Sequence, residues 1–285
     1  MSNRIFIVFA TFNNSQKARI TIEQLNNQTT PYYRLLIVDH GQKQLLLTET
    51  EIKNEKIIKI EGSVDEWWTA SINRGLKYIL NTFELAVSDT LFIITDDNTF
   101  PTNFLEILNQ EVIKRKVAVG CPAINNLTNE VIHCDIIFNK YRGTNTYRNL
   151  NKKVDQLKKS YHTDLLKGRC ICAPLSCLKE VGLLNELLPQ YKSDHEYTVR
   201  LKRRYGQPFV TTLVYLHTNL ETQEKIAKFF DVNNFFFYFF GKKSTANNYY
   251  SLIYYLQTYK ILGVYYYLIY TLASIKYYFT SSLRQ

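Results

Sequence analysis

Residues 92–101 read FIITDDNTFP. Phe92, Ile93, Ile94 and Thr95 suit the middle of a buried strand, yet the run ends in two carboxylates and an amide, Asp96, Asp97 and Asn98. Asp and Asn are common turn residues because their side chains bond the nearby backbone, so a plain strand-to-helix turn accounts for them. The same oxygen donors suit a hard divalent cation, which takes carboxylates as ligands and bridges phosphate oxygens. A second chemical candidate lies in YKSDHEYTVRLKRRYG, residues 191–206. Ser193 followed by Glu196 has capping-box spacing, which places Asp194 in the first turn of a helix with Tyr197, Leu201 and Tyr205 on one stripe. An acid there favours the helix dipole by about 0.3–1 kcal/mol. The same placement keeps it ionised and able to accept a proton at neutral pH.

The elements that must position these groups follow from the apolar pattern. Runs 4–10, 34–39, 56–62, 91–96 and 117–123 read as strands, and 15–27, 66–81 and 101–115 as helices between them. Continuous apolar strands separated by helix-length spacers predict a mostly parallel sheet with helices on both faces. Ligands of such sheets lie beyond the carboxyl ends of the strands. The residues just past those ends, 11–14, 39–42, 62–65 and 96–98, are polar. Neither GxGxxG after the first strand nor GxxxxGK[ST] occurs, so a bound pyrophosphate would need a neutraliser other than a glycine cradle. A cation on Asp96 and Asp97 would serve.

The chain has 285 residues, 46% of them hydrophobic, enough for one large α/β domain with an appendage. Its formal charge of +10 favours anionic partners: nucleotide phosphates, nucleic acid or an acidic membrane surface. Five cysteines without a CxxC pair, and no signal-peptide pattern, predict reduced thiols in the cytosol. Residues 139–167 are polar and basic and read as a mobile loop or a solvated connection over the sheet edge. Acids stop after Asp231, while Lys242, Lys243, Lys260, Lys276 and Arg284 sit among aromatics. The longest uncharged run there, Ile261 to Ile275, is shorter than the roughly 20 residues that cross a bilayer. Tyrosines and lysines favour the headgroup level, so this segment reads as helices lying on a membrane surface or packed on the rest of the protein. Single-stranded nucleic acid ranks behind both, for want of an RRM, KH or OB pattern.

The order of these features resembles family 2 glycosyltransferases of the GT-A fold, from about residue 3 to residue 220. IVFATFNN resembles that family's first strand and polar turn, with Ala10 where proline is usual, and LLIVDHGQ its second strand and nucleotide-contacting aspartate, Asp39. EWWTASINRGL is similar to the segment that closes on the donor, with Asn73 and Gly75 in register. TDDNTFPTNFL resembles the metal-binding aspartate motif, and YKSDHEYTVRLKRRYG the region of the catalytic base.

The resemblance implies an α/β protein of GT-A fold, a mostly parallel Rossmann-like sheet flanked by helices, to which the composition adds a C-terminal aromatic-rich helical appendage. Residues 1–225 would form the catalytic domain, with a nucleotide-binding half (1–123) and an acceptor-binding half (124–225), and 226–285 a membrane-associating helical region. It implies inverting transfer from a nucleotide-diphosphate sugar, by default a UDP-sugar, to a glycan or lipid-linked acceptor in bacterial-type surface polysaccharide or glycolipid synthesis. Asp194 would be the catalytic base. Thr11, Asn13, Asp39, Trp68, Asn73 and Asp96 would bind the nucleotide sugar, and Trp67 and Glu196 the acceptor. Asp97, Asn98 and His217 would hold Mn2+ or Mg2+, with Asp97 the direct ligand; DxD spacing would instead pair Asp96 with Asn98. The implied partners are the donor, the acceptor and the inner membrane surface through residues 229–285, with no nucleic acid and with a homo-oligomer compatible. The alternatives are a catalytically inactive peripheral membrane module of the same fold and a sugar nucleotidyltransferase.

Overall fold

The computed structural model describes residues 3–43, 45–218, 232–241 and 248–283. The apolar runs form β1 (Ile5–Thr11), β2 (Tyr33–Asp39), β3 (Ile57–Glu61) and β4 (Thr90–Ile94), with α1 (Ser15–Asn26), α2 (Glu49–Lys53) and α3 (Trp68–Thr82) between them. Next come β5 (Asn98–Thr99), α4 (Phe104–Arg115), β6 (Val119–Gly120), β7 (Ala123–Asn125), β8 (Val131–His133), β9 (Ile136–Asn139) and β10 (Thr144–Tyr147). After a 3-10 turn at Val154–Gln156 follow β11 (Ser160–His162), β12 (Cys170–Pro174), α5 (Cys177–Glu180), α6 (Ser193–Tyr205), β13 (Phe209–Thr211) and β14 (Leu216–Thr218). The C-terminal part is helical: α7 (Val232–Phe240), α8 (Asn248–Tyr259) and α9 (Ile261–Leu283).

Eight strands make the main sheet in the order β11-β13-β6-β12-β4-β1-β2-β3. The β4-β1-β2-β3 half is parallel, while β12 runs antiparallel to β4 and to β6. Strand side chains alternate between faces. Ile5, Ile7, Phe9, Leu35 and Ile37 therefore meet Ala18 and Ile22 of α1 and Leu105 and Leu108 of α4 on one face. Phe6, Val8, Leu36 and Val38 meet Ile72, Leu76 and Ile79 of α3 on the other. Each such buried side chain contributes about 1.5–3 kcal/mol. Gly75 lets α3 sit close to the sheet, because a Cβ there would lie 2.6 Å from Val8 Cγ1.

The expected strand over 117–123 divides. Its first part is β6 of the main sheet, Pro122 interrupts it, and β7 belongs to a second sheet ordered β5-β14-β7-β8. Proline has no N–H to donate to a ladder, which is why the break falls there. Residues 208–218 hold two further strands, β13 and β14. The loop expected over 139–167 is a correction: it carries the β9–β10 hairpin and β11. Of these strands, β10 buries no apolar face. Their order comes from ladder bonds and from Asp135, whose carboxylate takes bonds from Arg148 and Asn149.

Two local expectations also change. Lys192, left-handed with φ 70°, is the N-cap of α6, and Ser193 is its first residue with no side-chain cap bond. The Ser193 hydroxyl instead bonds Thr69 Oγ1 at 2.8 Å, so no capping box forms. The helix expected over 66–81 starts at Trp68; Glu66 precedes it and pairs with Arg74.

The α8–α9 pair packs on the rest of the chain. Tyr254, Tyr255 and Tyr266 bury Leu188, Phe138 stacks on Tyr259 with centroids 4.5 Å apart, and the Tyr255 hydroxyl donates to Gly143 O at 2.8 Å. Among the described residues no helix is long and apolar enough to cross a membrane. The expected boundary at 225/226 lies outside the described residues, as do Lys242, Lys243 and Arg284.

Candidate active site

Parallel pairing brings the tips of β1, β2 and β4 to one edge. Thr11 lies opposite Asp39 in register, and β4 runs on into Thr95, Asp96 and Asp97. The loops after β1 and β2 are locked together. Asn13 adopts φ 53°, and its Oδ1 accepts from Lys43 N at 2.9 Å. A Cβ on Gly41 would lie 2.5 Å from the Asn13 nitrogen, so only glycine permits this approach. Asp39 is buried, accepting from Leu45 N at 2.6 Å and Gly41 N at 3.3 Å, with Lys59 Nζ 3.4 Å away. Its carboxylate shapes the β2 loop.

The aspartate motif is built around Arg169. Asp97 Oδ1 accepts from Thr95 Oγ1 at 2.6 Å, and Asp97 Oδ2 accepts from Arg169 Nη1 at 2.6 Å. That nitrogen also donates to Thr218 Oγ1 at 2.7 Å and lies 3.4 Å from Asn98 Oδ1. Asn98 Nδ2 donates to Thr95 Oγ1 at 2.9 Å and to Arg169 O at 3.1 Å. Burial pushes the Asp97 carboxyl up, but the guanidinium and the Thr95 hydroxyl outweigh it and hold the group below the usual carboxylate range. Asp96 has no such counter-ion beside it. Burial, with the Asp97 charge added, pushes it up to about 6 against the Thr11 hydroxyl and Lys17.

Asp194, in the first turn of α6, accepts from Gly168 N at 2.9 Å through Oδ2 and from His195 N at 2.8 Å through Oδ1. Burial opposes its ionisation, while charge at His195 and Lys167 and the two N–H groups hold it below the usual range. Burial pushes His195 itself down to about 3, so its ring is neutral at pH 7. The lasting support for an ionised Asp194 is therefore Lys167 and the two N–H donors. Gly168 also fits against Trp68, whose ring carbons would lie 2.9 Å from a Cβ at that position. The Thr69 hydroxyl of α3 bridges Leu188 O, to which it donates, and the Ser193 hydroxyl of α6, joining the starts of the two helices. Tyr254 of α8 meets the His195 ring edge-on at 6.3 Å.

The structure thus gathers Thr11, Asp96, Asp97 and Asn98 at the strand tips, and connects them to Asp194 and Trp68 through Gly168–Arg169. Other expected site residues are engaged elsewhere. Asn73 is buried against the 184–186 loop, bonding Leu184 N, Leu184 O and Glu186. Glu196 gives both carboxylate oxygens to Arg200, which also donates to Val181 O and Leu183 O. Trp67 is the half-buried N-cap of α3. His217 lies on β14 opposite Thr99; alternation turns its ring away from the Arg169 cluster, which Thr218 touches, and toward Tyr215 at 5.3 Å. Sequence reasoning missed Arg169, Gly168 and Thr218. A Gly-Arg pair just before an apolar strand was the only signal.

A large sheet, parallel through its β4-β1-β2-β3 half and bearing acids at the strand tips, with a helical C-terminal part, defines the GT-A fold, and similar solved structures share it. They include GalNAc-T7 with UDP, GalNAc and Mn2+ (TM-score 0.62, 12% identity, 98% of this chain and 57% of that one). The mannosyltransferase PcManGT from Pyrobaculum calidifontis in complex with GDP-Man and Mn2+ gives 0.54 and 12%, over 80% of this chain and 60% of that one. TarS of S. aureus gives 0.55 and 12%, over 76% of this chain and 37% of that one. Residues 6–165, more than half of the sequence, match glycosyl transferase family 2, and the chain belongs to that family. No curated protein matches the sequence. The chain spans 57%, 60% and 37% of the three solved chains.

Proposed function

We propose that the chain is an inverting glycosyltransferase that moves a sugar from a nucleoside-diphosphate sugar, by preference a UDP-sugar, to a hydroxyl of a glycan or lipid-linked acceptor. The observation that carries this reading is the attachment of Asp97 and Asp194 to the consecutive residues Arg169 and Gly168. Both carboxylates are held by one short segment, which supports pairing a cation-binding role for Asp97 with a proton-accepting role for Asp194.

Asp194 takes the proton of the attacking hydroxyl. The new bond forms from that oxygen to the anomeric carbon as the carbon–phosphate-oxygen bond breaks, and the electron pair leaves with the nucleoside diphosphate. A single displacement with one base inverts the centre. Trp68, fixed against Gly168 beside Asp194, bounds the sugar's position.

The residues present fit a divalent cation. Asp96 and Asp97 are adjacent hard-oxygen donors, and burial beside the Asp97 charge raises the Asp96 carboxyl, a cost that a bound cation would offset. Among the described residues no three His, Cys, Asp or Glu side chains converge on one point. A cation would then rest on this pair and on phosphate oxygens of the donor, the usual arrangement for Mg2+ at nucleotides. Asp97 would hold Mn2+ or Mg2+, with Asp96 beside it; when bound, the ion would stabilise charge on the leaving diphosphate.

The exposed side of α9 supports a peripheral place on the cytoplasmic membrane face. Ile261, Tyr265, Leu268 and Leu272 are exposed at helical spacing, and α7, α8 and α9 contain no acid.

The test is transfer, or slow hydrolysis, of UDP-sugars by the full chain. Activity is expected to need Mn2+ or Mg2+ and to fall about 10²–10⁴-fold in Asp194→Asn and below detection in Asp97→Ala, with unchanged circular dichroism. Full activity in Asp194→Asn would end the proposal.

A further inference from the structure

Arg169 bonds to both sides of the motif, through its carbonyl to Asn98 and its guanidinium to Asp97, as the Thr95 hydroxyl also does. A guanidinium carries five N–H donors in a rigid fork. Here Nη1 serves Asp97, Thr218 and Asn98. Among the described residues, Nε and Nη2 meet no protein acceptor, although the side chain is only 27% exposed. The Nε–Nη2 edge can match two oxygens of a phosphate. Asp97 meanwhile has both oxygens occupied, by Thr95 and by Arg169. A cation binding at Oδ2 competes with the guanidinium for the same lone pairs.

We infer that Arg169 is a diphosphate-binding residue that exchanges with the divalent cation at Asp97: the fork grips phosphate oxygens, and the carboxylate it leaves becomes available to the metal. Nucleotide and metal then favour each other's binding, because each takes one half of an ion pair that otherwise holds both. Only the identity of the diphosphate as part of a nucleotide sugar rests on the glycosyltransferase reading.

The experiment is calorimetric titration of the full-length protein, and of Arg169→Gln and Arg169→Lys, with Mn2+ alone, and with UDP, uridine and inorganic pyrophosphate in EDTA. In Arg169→Gln, UDP and pyrophosphate are expected to weaken about 10- to 100-fold. Uridine should not change, and Mn2+ alone should bind several-fold more tightly. Arg169→Lys keeps the charge without the fork and should fall between. Opposite signs for phosphate and metal cannot come from a merely structural role. Equal losses of UDP and uridine, or an unchanged Mn2+ affinity in both variants, would overturn the inference. Arg169-dependent pyrophosphate binding without UDP binding would keep it and remove the nucleotide-sugar reading. UDP binding that ignores both substitutions would do the reverse.

Discussion

His195 shows how much one buried ring matters. Burial, with Lys167 nearby, pushes its imidazole from the ordinary 6.5 down to about 3. Between those values the unfolded chain takes up a proton that the folded chain refuses. The stability this group contributes is complete above about pH 6.5 and is lost as pH falls toward 3, by up to about 1.4 kcal/mol per pH unit. Urea midpoints at pH 7 and pH 5 should therefore lie closer together in His195→Gln than in the parent protein. Equal gaps would show that the ring titrates normally. At this scale the sequence was partly legible. Asp194 and Asp97 were legible through the order of the motifs around them, since a turn or the helix dipole accounts for each acid locally. Arg169 was not, since its partner is 72 positions away and no local pattern records that separation.

Elements were more legible than contacts. The first four strands and α1, α3 and α4 follow from apolar runs and helical spacing, since burial selects both. The β9–β10 hairpin escaped because Thr144–Tyr147 buries no apolar face, and the α6 cap because Ser193 bonds across to Thr69. The close approach of α3 to β1 is a packing fact that only the fold displays. Gly75→Ala is expected to destabilise the domain by about 1–3 kcal/mol through overpacking against Val8. Chemical denaturation measures this directly, and an unchanged midpoint would mean that the two elements part easily.

For the whole molecule, the acid-free C-terminal helices supply two faces with different partners. Tyr254, Tyr255 and Tyr266 face the protein, whereas Ile261, Leu268 and Leu272 face outward. Removing the segment would strip α8 from α6, so point changes on α9 are the cleaner probe. Leu268→Glu with Leu272→Glu should abolish flotation with vesicles containing anionic lipid and leave melting temperature within a few degrees. Flotation equal to the parent's would remove the membrane from the picture.

The Gly168–Arg169 dipeptide has a consequence for how the reaction tolerates error. Gly168 holds the group that would pull a proton from the incoming nucleophile, and its neighbour Arg169 the group that would steady the outgoing one, so the chain itself ties the two together. Inserting a single glycine between them adds up to about 3.8 Å. Ligands should still bind each half of such a protein, while turnover stops: a ruler one notch too long.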